Sequence, residues 1–514
     1  MSATEAIGKD ETTAALRAGA PPARRQAVLQ RILEYDFTRP LPFLALAFVY
    51  LAVRIPWLNL GYGTDPDAWR VALSAEHLLS DGEYLPSRLP GYPLHEFATV
   101  PLIRAGWVWT NLSTAVVSLV GVYVFTKLVA ELNLRGRGLL TLTFAFAPLL
   151  WINSVTTLDY MWALTLILAS YWLAIRQRTA LSGVALGLAV GFRLTSGVMA
   201  LPLGILLWKE KGRRDTVVFA LALAVVSLVA YSPVLATYGL HMFNFYDASV
   251  TWRAVLNRLG KDALGVVGAL AVLVALAMSA RNLRELPNDL RRDRHVLVWV
   301  TAIVVYFLSF ARLPHEIGYL IPIFPFGLFL LSRYLRNGAL AAAGALIILA
   351  GFVDVTSPVE SLNLDTFAQA RIGPGMLFSD LDTLQDQMDF ADEVRDYDVP
   401  PHSVVLTGFI FPEFAMLNKD RLNLGILDRD YGAISMLSDR GEAVDEERDV
   451  RYVWLLKYEK FLEYREQGYR LYFASDAASS SNVLFGYRPG YFGTMMTFAD
   501  ERPSTGKGAA ATDR

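Results

Sequence analysis

The amino-acid sequence predicts a mainly α-helical membrane protein: a polytopic bundle of about eleven transmembrane segments with a C-terminal extracytoplasmic α/β domain. Three observations support this fold class. The chain is 54% hydrophobic and only 19% charged, with a mean hydropathy of +0.35, whereas soluble domains are typically about 25% charged. Apolar stretches recur at lengths that cross about 30 Å of hydrocarbon. The basic residues between them cluster in alternate connections.

Composition also excludes several classes of function. The net charge of −2 argues against nucleic acid as a partner, because binding it usually requires a strong basic excess. The chain has no cysteine, which excludes disulfides, thiolate metal sites and thiol catalysis. Residues 1–40 are polar and contain no apolar core, so we expect a cytoplasmic N-terminal segment without a cleavable signal peptide.

The membrane region is predicted to span 41–354. Its apolar stretches lie at 41–58, 107–127, 139–154, 157–175, 180–208, 216–236, 262–280, 295–311, 316–333 and 338–354. The stretch 180–208 is too long for one upright span, and Arg193 and Thr195 interrupt it midway. We therefore interpret it as two short helices that meet near Arg193.

The basic residues orient these segments, because cytoplasmic loops carry the Lys/Arg excess. The connections predicted to be cytoplasmic contain Arg135, Arg137 and the runs at 176–178, 209–214, 281–294 and 333–336. The complementary set then faces outward: 59–106, about 237–261, 312–316 and everything after 354. This topology predicts a multi-pass protein of the plasma (inner) membrane with a cytoplasmic N-terminus.

The outward tail has the composition of a folded domain, predicted at 355–500. "SDLDTLQDQMDFADEVRDYD" is typical of an amphipathic helix, and "SVVLTGF", "RYVWLLK" and "YRLYFAS" are typical of strands. "YEKFLEYREQG" predicts a helix that ends near Gly468. The last residues, 501–514, are predicted to be a disordered tail.

The first outward loop, 59–106, is the strongest candidate for a site, because connections beyond about 12–15 residues are usually functional or disordered. Its "TDPDAWRVALSAEHLL" places Asp65 and Asp67 at the start of a predicted helix, and His95 lies further along the loop. A carboxylate is favoured at a helix N-terminus. Asp67 is therefore either a helix N-cap or a site residue.

Other outward ionisable residues have two interpretations each. Arg312, His315 and Glu316 are either site residues or charges that snorkel to the headgroups. Arg193 needs water, an anion or an acid such as Asp159, which by itself more simply caps a helix.

The third outer loop combines aromatic residues with Arg253 and Arg258. Such residues either anchor the interface or bind an anionic headgroup. Outward acids and cations together suit a lipid-phosphate substrate. A carboxylate would remove a proton from the incoming hydroxyl, and cations would stabilise the departing phosphate.

Three stretches resemble the GT-C superfamily of integral-membrane glycosyltransferases, including its mannosyltransferase and aminoarabinose-transferase branches. "TDPDAWRVALSAEHLLSDGEYLPSRLPGYPL" is similar to the first outer loop of these enzymes. "LSGVALGLAVGFRLTSGVMALPLGILL" is similar to a recurring segment, and "LPHEIGYLIPIFP" to a mannosyltransferase signature. The resemblance implies transfer of a sugar from a polyprenyl-phosphate donor to a glycan, lipid or protein acceptor outside the membrane, with inversion.

The resemblance also implies roles for residues. Asp67 takes the place of the catalytic aspartate and Asp65 that of a second carboxylate, although Ala68 stands where many members have Glu. Their D-x-D spacing could hold Mg²⁺ or Mn²⁺. The expected donor-phosphate ligands are Arg312, His315, Arg193, Arg253 and Arg258, with Glu316, Asp159 and His95 as further candidates.

Two other functions stay open. A transporter or flippase of lipid-linked saccharides predicts cavities on both faces of the membrane. A non-catalytic scaffold that presents the outer domain leaves the acid-rich first loop unexplained.

Overall fold

The computed structural model describes residues 33–243, 255, 258–313, 316–356, 371–426, 441–454, 456, 458–474 and 496–498. Apolar helices make up most of the chain before the first strand. They are Pro40–Ala52, Trp107–Glu131, Arg137–Phe146, Pro148–Ser154, Tyr160–Ile175, Thr179–Phe192, Ala200–Lys211, Arg213–Tyr238, Ala263–Met278, Arg294–Arg312, Ile323–Tyr334 and Asn337–Leu349. Every predicted apolar stretch overlaps at least one of them, which confirms the predicted polytopic helix bundle.

Five helical stretches of the described chain are long and apolar enough to cross a membrane. They are Trp107–Glu131, Arg213–Phe243, Arg258–Met278, Arg294–Arg312 and Ile317–Tyr334. Five shorter apolar helices accompany them: Pro40–Ala52, Arg137–Phe146, Tyr160–Ile175, Thr179–Phe192 and Asn337–Leu349. The protein is thus a multi-pass membrane protein, while the number of crossings and the direction of the termini stay predictions.

Two of the predicted segments are broken. At Arg193 the backbone is extended (φ −154°, ψ 114°), and a 3₁₀ turn at Leu194–Met199 precedes the helix that begins at Ala200. The predicted interruption near Arg193 is therefore confirmed. The segment 139–154 also divides, which the sequence analysis did not predict. Ala147 is extended, and Pro148 has no N–H with which to continue the helix.

Arg54 stabilises this second break. Its side chain is fully buried, and Nη2 donates to the carbonyl of Ala145 at 2.9 Å, just before the break. Nε donates to Ser154 at 2.7 Å, and the guanidinium lies 3.4 Å from the centre of the Tyr50 ring. The arginine thus supplies a donor to a backbone carbonyl next to the break.

Beyond the bundle lies a sheet built largely from the predicted strands. A two-stranded sheet pairs β1 (Val353–Thr356) with β2 (Arg371–Pro374). The remaining strands are β3 (Ser403–Leu406), β4 (Asn423–Ile426), β5 (Gly441–Asp445), β6 (Val450–Val453), β7 (Arg470–Ala474) and β8 (Met496–Phe498). They form one sheet in the order β4-β5-β6-β3-β7-β8, with β3 parallel to both neighbours and the other pairs antiparallel.

Three helices accompany this sheet: Met376–Asp396, which we call the outer helix, Phe411–Asn418 and Tyr458–Glu466. The strands and helices predicted around 379–398, 403–409, 451–457, 458–468 and 469–475 are present at these positions. The bounds of the domain and its side of the membrane stay predictions. The predicted disordered tail lies outside the described residues.

The first outer loop folds into two helices, Pro66–Asp81, which we call the first-loop helix, and Pro93–Ile103. The first-loop helix buries Ala68, Trp69, Val71 and Ala72. Its other contacts reach the region after the bundle. Lys419 Nζ lies 2.6 Å from Glu76 Oε2, and Arg70 lies 4.6 Å from the centre of the Trp454 ring. The loop is therefore held between the membrane bundle and the outer sheet.

Candidate active site

The T-D-P-D turn places its two aspartates in different roles. Asp65 is the N-cap of the first-loop helix, and its Oδ1 accepts from the backbone N–H of Asp67 at 2.9 Å. Pro66 follows at the first helical position, where a missing N–H costs nothing. The interpretation of Asp67 as the N-cap is therefore wrong, because its neighbour supplies the cap. Asp67 lies in the first turn and is 8% exposed.

Asp67 belongs to a chain of buried ion pairs, which we call the buried ion chain: Arg70, Asp67, Arg88, Asp159 and Arg193. Asp67 Oδ1 lies 2.9 Å from Arg70 Nη1, and Asp67 Oδ2 lies 2.7 Å from Arg88 Nε. Arg88 Nη2 and Arg193 Nη1 each lie 2.7 Å from an oxygen of Asp159. Alternating charges of this kind compensate one another where water is excluded.

The buried ion chain tests two predictions, one about Asp159 and one about Arg193. Asp159 is not a lone capping acid: it makes no side-chain capping bond, and its two oxygens bind Arg88 and Arg193. The structural interpretation of Arg193, pairing with Asp159, is confirmed. Aromatic rings complete the enclosure, with Arg193 3.7 Å from the Tyr160 ring centre and Arg88 3.7 Å from that of Tyr92.

The candidate site contains a cluster of three carboxylates. Asp65, Asp67 and Glu316 each offer an oxygen within 4.8 Å of the others. Glu316 Oε2 accepts from the Tyr160 hydroxyl at 3.0 Å. Gly318 packs so closely on the ring of Tyr160 that a Cβ there would collide with it. Burial, and then the charges of Asp67 and Glu316, raise the pKa of Asp65 to about 7.

Asp65 and Glu316 line a cavity of about 520 Å³, which we call the main cavity. Two cations, Arg258 and Lys261, contribute to the same lining. Arg258 Nη1 is 2.8 Å from Asp262 Oδ2, and its side chain is 43% exposed. The main cavity thus combines carboxylates with accessible positive charge.

A second cavity of about 330 Å³ adjoins the main cavity, and we call it the apolar cavity. Both are lined by Leu149, and Leu259 of the apolar cavity follows Arg258 in the chain. Its lining consists of aliphatic and aromatic side chains with one glycine, from the bundle helices. Such a lining suits a hydrocarbon chain.

A third cavity of about 290 Å³ is also lined by Pro66, and we call it the outer cavity. It shares Pro66 and Thr383 with the main cavity, and its lining includes Gln387 and Glu413. The sequence analysis missed Glu413, although an acid inside the apolar run "GFIFPEFAML" is a recognisable signal.

Sequence analysis also missed two residues nearer the main cavity. Arg88 was one of several charges in the first loop, and nothing in the sequence indicated its place between Asp67 and Asp159. Asp380 lines the main cavity, accepts from the Thr64 hydroxyl at 2.7 Å and has its pKa raised to about 6 by burial. We found no sequence signal for Asp380.

The remaining predicted site residues lie elsewhere. His95 is buried between the rings of Trp162 and Phe192, and burial lowers its pKa to about 4. Arg312 is exposed at the end of helix Arg294–Arg312. His315 and Arg253 lie outside the described residues.

The carboxylate cluster has ligand chemistry that suits a hard divalent cation, which prefers oxygen ligands. The three residues do not offer equal capacity, because both oxygens of Asp67 already bind arginines. Asp65 and Glu316 retain more capacity to bind a cation. Binding of Mg²⁺ or Mn²⁺ stays a prediction.

Comparison with known proteins gave one informative likeness. No family model matches the chain, and no curated protein matches it. The crystal structure of ArnT from Cupriavidus metallidurans bound to undecaprenyl phosphate superposes with a TM-score of 0.53 at 13% sequence identity. The match covers 89% of this chain and 96% of that chain. Likeness at this identity concerns the fold and not the activity. This chain has an ArnT-like polytopic membrane fold.

Proposed function

We propose that the protein is a membrane glycosyltransferase that moves a sugar from a polyprenyl-phosphate donor to an acceptor hydroxyl at the extracytoplasmic face. One observation carries the proposal. Carboxylates and accessible cations line the same cavity, and that cavity adjoins one with an apolar lining. A lipid phosphate sugar has the three corresponding parts: a reacting carbon, an anionic phosphate and a hydrocarbon chain. The fold shared with ArnT, whose crystal structure contains undecaprenyl phosphate, supports it.

The donor phosphate is assigned to Arg258 and Lys261. Both line the main cavity near its junction with the apolar cavity, where the polyprenyl chain would lie. The partial exposure of Arg258 leaves its guanidinium able to exchange Asp262 for a phosphate oxygen. Cations at this position would stabilise the negative charge that develops on the departing phosphate.

We assign the general base to Asp65 and not to Asp67. Both oxygens of Asp67 are held by Arg70 and Arg88, so they are already engaged in the buried ion chain. Asp65 uses one oxygen as a cap and lines the main cavity. It would take the proton from the acceptor hydroxyl.

The reaction then balances as a single displacement. The acceptor oxygen forms a bond to the anomeric carbon while the bond from that carbon to the phosphate oxygen breaks. The electron pair leaves with the polyprenyl phosphate. Attack on the face opposite the phosphate inverts the anomeric configuration. Asp65 and Glu316 would hold a divalent cation, which would supply further positive charge to stabilise the departing phosphate.

One observation favours a second candidate, a flippase of lipid-linked saccharides. A polar cavity of about 540 Å³ lies near the connections predicted to be cytoplasmic, lined by Arg135, Asp293, His295 and Arg333 among others. Cavities on both faces are what a transporter requires. In this cavity, however, Arg135 donates to three backbone carbonyls, so its charge already stabilises the packing of the helices.

The test is transfer by the purified full chain in lipid nanodiscs. The donors are polyprenyl-phosphate hexoses and pentoses labelled in the sugar, and the acceptor is a membrane extract from the source organism. We expect label in the acceptor fraction and an equal amount of free polyprenyl phosphate. The matched controls are the double variant Asp65→Asn/Glu316→Gln and the exposed variant Asp398→Asn. Movement of intact donor across proteoliposomes, with no free polyprenyl phosphate, would favour the flippase.

A further inference from the structure

The outer cavity has no part in the donor site proposed above. Its lining comes from Pro66 of the first-loop helix, from the outer helix, and from Ile410 and Glu413. Its volume of about 290 Å³ is at the lower end of the ~300–1,000 Å³ typical of small-molecule pockets. A cavity of this size suits one ring with its substituents better than a chain.

One face of the outer helix connects the two cavities. Ser379, Asp380 and Thr383 line the main cavity, and Thr383, Asp386, Gln387 and Phe390 line the outer cavity. These positions recur at spacings of three and four, so they lie along one side of the helix. The polar side chains on this side of the helix therefore form a stripe that runs from the main cavity, where Asp65 and Glu316 lie, to the outer cavity.

Two buried polar atoms in the outer cavity lack a partner among the described residues. Glu413 is 1% exposed, and its Oε2 accepts no hydrogen bond there. The side-chain oxygen of Gln387 is likewise buried and unpaired. An unsatisfied buried polar group is unfavourable, and a ligand with hydroxyl groups would provide the missing hydrogen bonds.

The protonation of Glu413 indicates the kind of ligand. Burial, together with the charges of Asp65 and Asp67 and against the effect of Arg70, raises its pKa to about 8. The carboxyl is therefore mainly protonated at neutral pH and can both donate and accept. That capacity matches a hydroxyl group, which also does both.

We propose that the outer cavity is the acceptor subsite and binds an uncharged, hydroxyl-rich ring such as a sugar. The hydroxyls of the ring bind Glu413 and Gln387, and the apolar face of the ring lies on Phe390. Because Pro66 lines the cavity and directly follows Asp65 in the chain, the bound ring presents a hydroxyl near the turn that carries Asp65. This inference rests on the proposed function, since it assigns the acceptor of the same reaction.

The probe is an alkyl glucoside that carries a photoreactive diazirine, applied to the full chain in nanodiscs. Labelled peptides are mapped by mass spectrometry. We expect label on the outer helix and on helix Phe411–Asn418, with the yield reduced about tenfold in Glu413→Leu and in Gln387→Leu. Glu413→Gln, which still donates and accepts, should retain most of the yield. Glu447→Leu, at an exposed position, is the matched control.

Each outcome decides the assignment. Label elsewhere, no label, or an unchanged yield in both leucine variants would overturn it. A higher yield with the corresponding glucosamine probe, which carries an ammonium, would replace an uncharged ligand by a cationic one and overturn the stated chemistry. The transfer assay is read separately. If the wild-type chain transfers no sugar but the outer cavity is labelled, the proposed function fails and saccharide binding stands.

Discussion

Asp65 and Asp67 are separated by one residue, yet they belong to two different kinds of buried charge. Asp67 lies in the buried ion chain, where each carboxylate oxygen has a guanidinium within 2.9 Å. Asp65 lies on the wall of the main cavity with Glu316, close to other carboxylates. The first arrangement compensates its charges within the protein. The second leaves negative charge that only a proton, a cation or a substrate can compensate.

This difference distinguishes the carboxylates that stabilise the fold from those that are available for binding or catalysis. Burial alone does not distinguish the two sets, since Asp67, Asp159 and Glu413 are all buried. What distinguishes them is whether the partners are already present. Asp67 and Asp159 are paired with arginines, whereas Asp65, Glu316 and Glu413 line cavities.

The largest expected effect comes from breaking the buried ion chain. Arg88→Met leaves Asp67 and Asp159 each short of one partner, and loss of one member of a buried pair costs about 3–5 kcal/mol of the free energy of unfolding. Thermal unfolding in detergent should show a markedly lower Tm. The exposed pair of Arg395 supplies the control, and Arg395→Met should leave the Tm nearly unchanged. Equal Tm values for the two variants would contradict a structural role for the buried ion chain.

The next effect separates the two aspartates. Asp65→Asn should keep the fold, because Asn caps a helix about as well as Asp. Sugar transfer should fall by a factor of about 10² or more, the scale of losing a general base. Asp67→Asn should instead lower the Tm, since Arg70 and Arg88 lose an anion.

Both variants are compared at matched protein concentration, with transfer and Tm measured on the same sample. The opposite pattern, with Asp67→Asn inactive but stable and Asp65→Asn active, would assign the role of general base to Asp67. If both variants keep full activity, the first loop has no catalytic carboxylate.

A smaller effect is expected at the cation of the main cavity. Arg258→Ala should raise the donor KM by about 10- to 100-fold, because a charge-assisted hydrogen bond contributes about 1.5–3 kcal/mol. The Tm should change little, since the pair with Asp262 is partly exposed. The measurement is initial rate against donor concentration, with Arg312→Ala as the comparison. A larger KM change in Arg312→Ala would move the phosphate site towards that helix end.

A further effect concerns pH. Burial raises the pKa of Glu413 from 4.5 to about 8, so the folded state keeps a proton that the unfolded state has lost between these values. The stability of the wild type should therefore fall, relative to Glu413→Gln, as the pH rises from about 4.5 to 8. The Tm difference between the two proteins should grow over this window and then level off. A constant difference would show that Glu413 is not held in its protonated form.

Much of the bundle could be predicted from the sequence, because transmembrane length and apolar composition are local properties. The break at Arg193 was predicted for the same reason, since a charge inside an apolar run is visible without a structure. The break at Pro148 was missed, although proline is also a local signal, because the surrounding run is short and continuous in composition.

The candidate site was only half predictable. Asp65, Asp67 and Glu316 were identified as outward acids, but their division into paired and unpaired groups depends on Arg88, which bridges Asp67 and the distant Asp159. Glu413 and Asp380 come close to the first loop only through the packing of the outer region. Pairings between residues so far apart follow from the fold and cannot be read from local pattern.

The contacts of the first loop with the outer region have a consequence for how the protein is made. Thr64 binds Asp380 across 316 residues of chain, and Glu76 binds Lys419 across 343. During synthesis from the N-terminus, the first loop is therefore translated long before the residues that complete its surroundings. Nascent chains that stop within the last bundle helix would have inserted most of their apolar segments but would lack the outer helix. Assembly of the site is thus a late event in biogenesis, and premature termination yields an inserted protein without a finished cavity.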